Sequence, residues 1–138
     1  FIRMFPRMPA VIDGSQMQDA VPTLAVLAAF NDTPVRFTGI ANLRVKECDR
    51  IHAAAAELTR LGQKVEEGPD WLRIHPTGKL AAAKVHTYDD HRVAMAFSIL
   101  GLLHPGIEIE DPKCVTKSFP DYWNEFDRFA AWHNGGMA

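Results

Sequence analysis

From Ala20 to Phe30 apolar residues fall on nearly every side of a helical projection, with Gln18-Asp19 before them and Asn31-Asp32-Thr33-Pro34 after. A helix without a polar stripe has no face to offer water, so this one is expected deep in the interior. Asp19 is a good N-cap for it, and Pro22 falls in the first turn, where a missing N–H costs little. The Asn-Asp-Thr-Pro run ends it, and Val35-Arg36-Phe37-Thr38 then alternates as a strand with one buried face. A second helix, rich in Ala, Leu, Glu and Arg, is expected from about Val45 to Leu61, stopping at Gly62. Lys64-Val65-Glu66-Glu67, the turn Gly68-Pro69-Asp70 and Trp71-Leu72-Arg73-Ile74 read as a β-hairpin.

The pattern then returns. Lys84 to Tyr88 reads as a strand, and Asp90 caps a helix through about Leu103. Pro105-Gly106 leads to the alternating strand Ile107-Glu108-Ile109-Glu110, and a last helix covers roughly Pro120 to Trp132. A shift of 71 residues carries Asp19 onto Asp90, Pro34 onto Pro105 and Lys46 onto Lys117, and Val35 and Phe37 meet Ile107 and Ile109 after one insertion. The chain therefore reads as an α/β protein built from two copies of a helix–strand–loop–helix unit joined by the hairpin. The first residues read as strand or loop.

Composition narrows the function classes. The 138 residues are enough for one domain with its own core. A net charge of −2 offers no long-range field for nucleic acid or anionic membrane, so anion chemistry has to come from local clusters of base. Two cysteines, Cys48 and Cys114, make neither a disulfide framework nor a zinc site and fit a reducing, cytoplasm-like compartment. No apolar run approaches the ~18 residues that span a bilayer. The chain opens on Phe1 with Arg and Pro interrupting any apolar segment, so it reads as a piece of something longer and not as a signal peptide.

Candidate chemistry sits at the helix starts. A helix N-terminus carries roughly half a positive charge, so cations there lose ~0.3–1 kcal/mol unless an anion arrives. His91 and Arg92 follow Asp90, Lys117 precedes Ser118, the expected cap of the last helix, and Lys46 and Arg50 open the second helix on one face. Repeated at successive helix starts, this penalty points to a bound phosphate or carboxylate. The plainer reading pairs each base with a local acid: Lys46 with Asp49, Arg92 with Asp89, Lys117 with Asp121. Glu47, between Lys46 and Arg50, has the surroundings of a tuned general acid or base, and Asp19 could act likewise from its cap position. The six histidines show no ligand spacing, and there is neither a phosphate-cradling Gly-x-x-x-x-Gly-Lys loop nor a Gly-x-Ser-x-Gly elbow.

Four segments resemble one family in order and spacing. Asn42-Leu43-Arg44-Val45-Lys46-Glu47-Cys48-Asp49-Arg50-Ile51 is similar to the Arg-Val-Lys-Glu-(Thr/Ser/Cys)-Asp-Arg signature of the shikimate-pathway enolpyruvyl transferases. Tyr88-Asp89-Asp90-His91-Arg92-Val93-Ala94-Met95-Ala96 resembles their Asp-His-Arg segment, and Asp111 to Asp121 their Lys-Ser/Thr-Phe-Pro stretch. Gln18-Asp19-Ala20 matches the family's Asp-Ala step, and the similarity runs from about Ile12 to Phe129. The sister family that acts on UDP-N-acetylglucosamine generally lacks the first two signatures. The alternative from another class is a non-catalytic anion-binding module.

The resemblance implies transfer of enolpyruvyl from phosphoenolpyruvate to the 5-hydroxyl of shikimate 3-phosphate, without metal or organic cofactor. By the same resemblance Asp19 would take the hydroxyl proton and Glu47 would exchange protons with the methylene carbon. Asp19, Asn42 and Lys46 would contact shikimate 3-phosphate, and Arg50, Arg92 and Lys117 would hold phosphoenolpyruvate. It further implies repeated βαβαββ units in an inside-out barrel, about two of them here. Residues 1–138 would be the C-terminal part of a second domain, with a whole N-terminal domain as the missing partner in a monomeric parent.

Overall fold

The computed structural model describes residues 7–103, 106–116 and 118–136. The strands are β1 (Val11–Asp13), β2 (Val35–Thr38), β3 (Lys64–Gly68), β4 (Trp71–His75), β5 (Ala83–Val85) and β6 (Ile107–Ile109). The helices are α1 (Val21–Ala28), α2 (Arg50–Arg60), α3 (His91–Leu103) and α4 (Tyr122–Gly136). The class is α/β, with the order β-α-β-α-β-β from β1 to β4 and β-α-β-α from β5 to α4. One sheet runs β1-β2-β4-β3, and β5 and β6 form a second. In each, the strands flanking a helix are parallel, as a helical crossover requires: β1 with β2 across α1, and β5 with β6 across α3. Matching elements lie 72 residues apart at three places (11 and 83, 35 and 107, 50 and 122), against the expected 71.

The period-two pattern decides which side of the larger sheet is dry. Val35 and Phe37 on β2 and Leu72 and Ile74 on β4 are buried, while Arg36 and Arg73 between them are exposed and face each other in register. Arg36 stands over the Trp71 ring at 4.5 Å on that wet face. The dry face joins one core with Val26 of α1, Ile51 and Leu58 of α2, and Phe97 and Leu100 of α3. The three helices also touch one another. Helix α1 buries Val21, Pro22, Ala25, Val26 and Ala28, in line with its lack of a polar stripe.

Local hydrogen bonding moves several expected boundaries. Asp19 does not cap α1: it lies within a short 3-10 turn, Gln18–Ala20, and the cap position falls to Ala20, which makes no side-chain bond. Helix α2 starts at Arg50, not Val45, because the Asp49 side chain accepts the His52 N–H at 3.0 Å and fixes the cap there. Residues Ala41–Val45 form a separate 3-10 turn, and Lys46 leaves it extended, so Lys46 and Arg50 do not share a helix face. Gly62 closes α2 at φ 97, a conformation glycine adopts without a Cβ penalty. Strand β5 stops at Val85, because the chain turns tightly between Thr87 and Asp90. Asp90 does cap α3, its Oδ1 accepting the Arg92 N–H at 2.8 Å. Ser118 does not cap α4; its N–H bonds back to Val115 in a turn ahead of the helix.

Phe37→Ala should lower the unfolding free energy by about 3–5 kcal/mol, and Arg36→Ala, one residue along, by less than about 1 kcal/mol. Urea titration of both variants checks which face of β2 is in the core.

Candidate active site

The starts of α2 and α3 meet, which brings two partial positive charges to one place, and the 3-10 turn ahead of α1 adds Asp19 to them. The 3-10 turn carrying Asp19 packs against the one carrying Asn42. Arg50, the first residue of α2, sits at the centre with only 3% of its side chain exposed. Its Nε donates to Asp90 Oδ2 at 2.8 Å and its Nη2 to Asp90 Oδ1 at 3.2 Å, a two-pronged grip on a carboxylate with no exposure. Nη2 also donates to Glu47, and Nη1 lies 3.6 Å from Asp19. Arg92 Nη2 reaches the other Asp19 oxygen at 3.9 Å.

Burial works against charge at Asp90, raising its carboxyl, but hydrogen bonds from Arg50, from the Cys48 thiol at 3.3 Å and from the Arg92 N–H outweigh it, and the group ends below the ordinary carboxylate range. Arg50 responds in kind: burial pulls its pKa down, and Asp90, then Glu47 and Asp19, more than restore it. Cys48 moves the opposite way. Burial first, then its bond to Asp90, push the thiol up to about 12, so the sulfur stays a proton donor.

Four of the seven expected site residues therefore meet: Asp19, Glu47, Arg50 and Arg92. Asn42 and Lys46 lie exposed beside them without a hydrogen bond or ion pair to another described residue. Lys117 falls outside the described residues. Of the local pairings set out for the bases, two are not what forms, and the third, Lys117 with Asp121, lies outside the described residues. Asp49 binds Arg44 at 2.8 Å instead of Lys46, and Arg92 reaches Asp19. Arg44 also bonds Glu67 at 3.1 Å and the Pro69 carbonyl at 3.2 Å, which ties the β3–β4 turn to the Ala41–Val45 turn.

Sequence reasoning took Asp90 as a mere cap, gave Arg44 and Cys48 no role at the site although both lie in the signature segment, and passed over Glu57 altogether. Only the Asp90 cap position carried a local signal. Chemically, the arrangement offers two half-exposed carboxylates, Asp19 at 60% and Glu47 at 53%, converging on one guanidinium. Arg92, 44% exposed and held only at long range, is open to an anion, as is the exposed Lys46. Among the described residues, no three His, Cys, Asp or Glu side chains gather as a metal site.

Comparison with known proteins gives one answer. The sequence profile of the EPSP synthase (3-phosphoshikimate 1-carboxyvinyltransferase) family matches residues 4–126. A 3-phosphoshikimate 1-carboxyvinyltransferase of Rhizobium etli is 55% identical over 140 residues, covering 97% of this chain and 33% of that protein. The Pseudomonas syringae pv. tomato protein of the same name is 59% identical, covering 89% of this chain and 31% of its own. The solved structure of EPSP synthase from Acinetobacter baumannii superposes with a TM-score of 0.71 at 32% identity, over 82% of this chain and 27% of that one. The chain thus spans about a third of the length of the curated relatives it matches.

Asp90→Asn keeps a capping oxygen but removes the buried counter-charge of Arg50 and leaves only the half-exposed Glu47 and Asp19 to answer it, which should cost about 3 kcal/mol at pH 7. The Asp90 carboxyl is held low in the folded state, so its contribution is complete above about pH 5, begins to fall near the ordinary carboxylate value and is lost as pH passes through the lowered folded-state value beneath it. The difference between wild type and variant in urea unfolding should accordingly be large at pH 7 and shrink toward pH 3. Cys48 offers a separate check: at pH 8.5 the native thiol should react with iodoacetamide over ~100-fold more slowly than in urea. Asp90→Asn should speed Cys48 more than Cys114, as read by peptide mapping.

Proposed function

The chain belongs to the EPSP synthase (3-phosphoshikimate 1-carboxyvinyltransferase) family, and on that premise we propose that it supplies the acid–base part of an enolpyruvyl-transfer site. The reaction joins the 5-hydroxyl oxygen of shikimate 3-phosphate to C2 of phosphoenolpyruvate. Asp19 takes the hydroxyl proton as that bond forms, and Glu47 delivers a proton to the methylene carbon, which becomes a methyl group. Loss of a methyl proton back to Glu47 then restores the double bond as the C2–O bond to phosphate breaks. Both steps are proton transfers of the kind that positioned carboxylates accelerate by about 10²–10⁴.

The observation that carries this reading is the meeting of Asp19 and Glu47 on the Arg50 guanidinium, with Arg92 beside Asp19. Arg50, Arg92 and Lys117 would hold the carboxylate and phosphate of phosphoenolpyruvate as preorganised positive charge. Asn42 and Lys46, unengaged within the described residues, would join Asp19 on shikimate 3-phosphate. An arriving carboxylate would displace Asp19 from Nη1 of Arg50, since the Nε edge is committed to Asp90. That displacement frees Asp19 for the substrate hydroxyl, so binding one substrate prepares the base for the other.

Residues 1–138 are proposed as the C-terminal part of the second of two domains, with the remaining contacts from the rest of a monomeric, cytoplasmic enzyme. In the isolated chain, Asp19 and Glu47 occupy the cations that phosphoenolpyruvate needs. The chain alone should therefore bind it weakly and release no phosphate. Phosphate release should appear when a separately made N-terminal portion is added, and Asp19→Asn or Glu47→Gln should each cut the turnover of that mixture by about 10²–10⁴. Silence on mixing, with the chain folded, would overturn the reading.

A further inference from the structure

We propose that Glu57 is a positioning residue: its buried carboxylate holds the β5–α3 turn in the strained shape that presents Asp90 to Arg50. This rests on reading the Arg50 cluster as the functional site, and it adds a residue that touches none of the candidate substrate contacts. Glu57 has no exposed side-chain surface, which is rare for a carboxylate without a task. It lies seven residues after Arg50 on α2, hence on the same face two turns along. The two residues grip the same short segment. Arg50 holds Asp90, while Glu57 accepts the His86 N–H at 2.8 Å and the Tyr88 hydroxyl at 2.7 Å. Arg60 Nε, 3.1 Å away, supplies the counter-charge.

The segment needs holding. Asp90 N–H bonds to the Thr87 carbonyl at 2.9 Å, closing a four-residue turn. Its two central residues, Tyr88 and Asp89, stand at φ 57 and φ 54, which makes it a type I′ turn. Such turns favour Asn-Gly or Gly-Gly, because both central residues must accept positive φ. A tyrosine there is an outlier that persists only when its surroundings over-determine it. The Tyr88 hydroxyl bond is that determinant, with the ring edge-on to His86 at 4.5 Å. Burial, and then the Glu57 carboxylate, push the phenol well above its usual range, so it remains an O–H donor. Without this grip the turn would relax toward negative φ, and the next residue, Asp90, would swing off Arg50.

The Arg50 Nε–H resonance in nitrogen-edited NMR of the full 138-residue chain reads this geometry with no ligand present. In wild type it should be shifted and slow to exchange, as a buried donor to Asp90. Glu57→Gln should speed its exchange at least tenfold and move it toward the exposed arginines, with backbone amide dispersion retained. Adding Asp89→Gly, which suits the turn, should restore the wild-type signal in the Glu57→Gln background. A folded Glu57→Gln chain with an unchanged Arg50 signal would overturn the proposal. So would a loss that Asp89→Gly leaves uncorrected, since that would mark Glu57 as a core residue only. If Glu57→Gln does not fold, Tyr88→Phe removes one of the two bonds and is read by the same criterion. Phosphate release on mixing with the N-terminal portion separates the two readings: a chain that shows the expected Arg50 behaviour but stays silent on mixing keeps the positioning role and loses the enzymatic one.

Discussion

A guanidinium and a carboxylate, each almost wholly out of water, hold the centre of this molecule together. Arg50 and Asp90 lie 40 residues apart in sequence and start two different helices. Desolvating either alone would be costly, so each is tolerable only because the other is there with matched hydrogen bonds. The pair does not need to be a net source of stability to matter. It needs to be the one arrangement in which neither charge is stranded, and that requirement sets how α2 and α3 approach each other. Around it the polar contacts are graded by exposure: Asp90 closed in, Arg50 nearly so, and Arg92, Glu47 and Asp19 each about half open. Rigid in the middle and adaptable at the rim suits the proposed exchange of the cluster's own carboxylates for those of a substrate.

What could be read along the chain was what the chain settles locally. The interior helix, the hairpin, the Asp90 cap and the helix end at Gly62 all rest on neighbours a few residues apart, and all appear in the fold. Strand β1 is three residues long and is made by its parallel partner β2, so it left no pattern of its own. The start of α2 misled because Val45 to Asp49 is acceptable helix material by composition, and a capping carboxylate overrode that preference.

The site was legible in a different sense. The resemblance named Asp19, Glu47, Arg50 and Arg92, and the structure brings them together. Spacing alone could not have joined them, because every contact except Arg50 with Glu47 crosses between elements. The cations at helix starts were noticed for a sound reason, yet the acids that answer them are distant ones. Asp90 serves Arg50, Asp19 serves Arg92, and the nearer Asp49 goes to Arg44. Glu57 gave no signal at all. A glutamate in the middle of an Ala-rich helix reads as surface until the strand beyond it is in place.

The Asp49 cap has a geometric consequence. Each residue advances a helix by about 100° of rotation, so the residue at which winding begins sets the angular phase of every later side chain. By stopping the helix from winding one residue earlier or later, Asp49 aims Arg50 at Asp90 and, two turns on, Glu57 at the same loop. A slip of one position would turn both side chains through more than a quarter of a circle together. One exposed hydrogen bond at the rim therefore indexes the buried machinery, much as a keyway fixes the timing of a shaft.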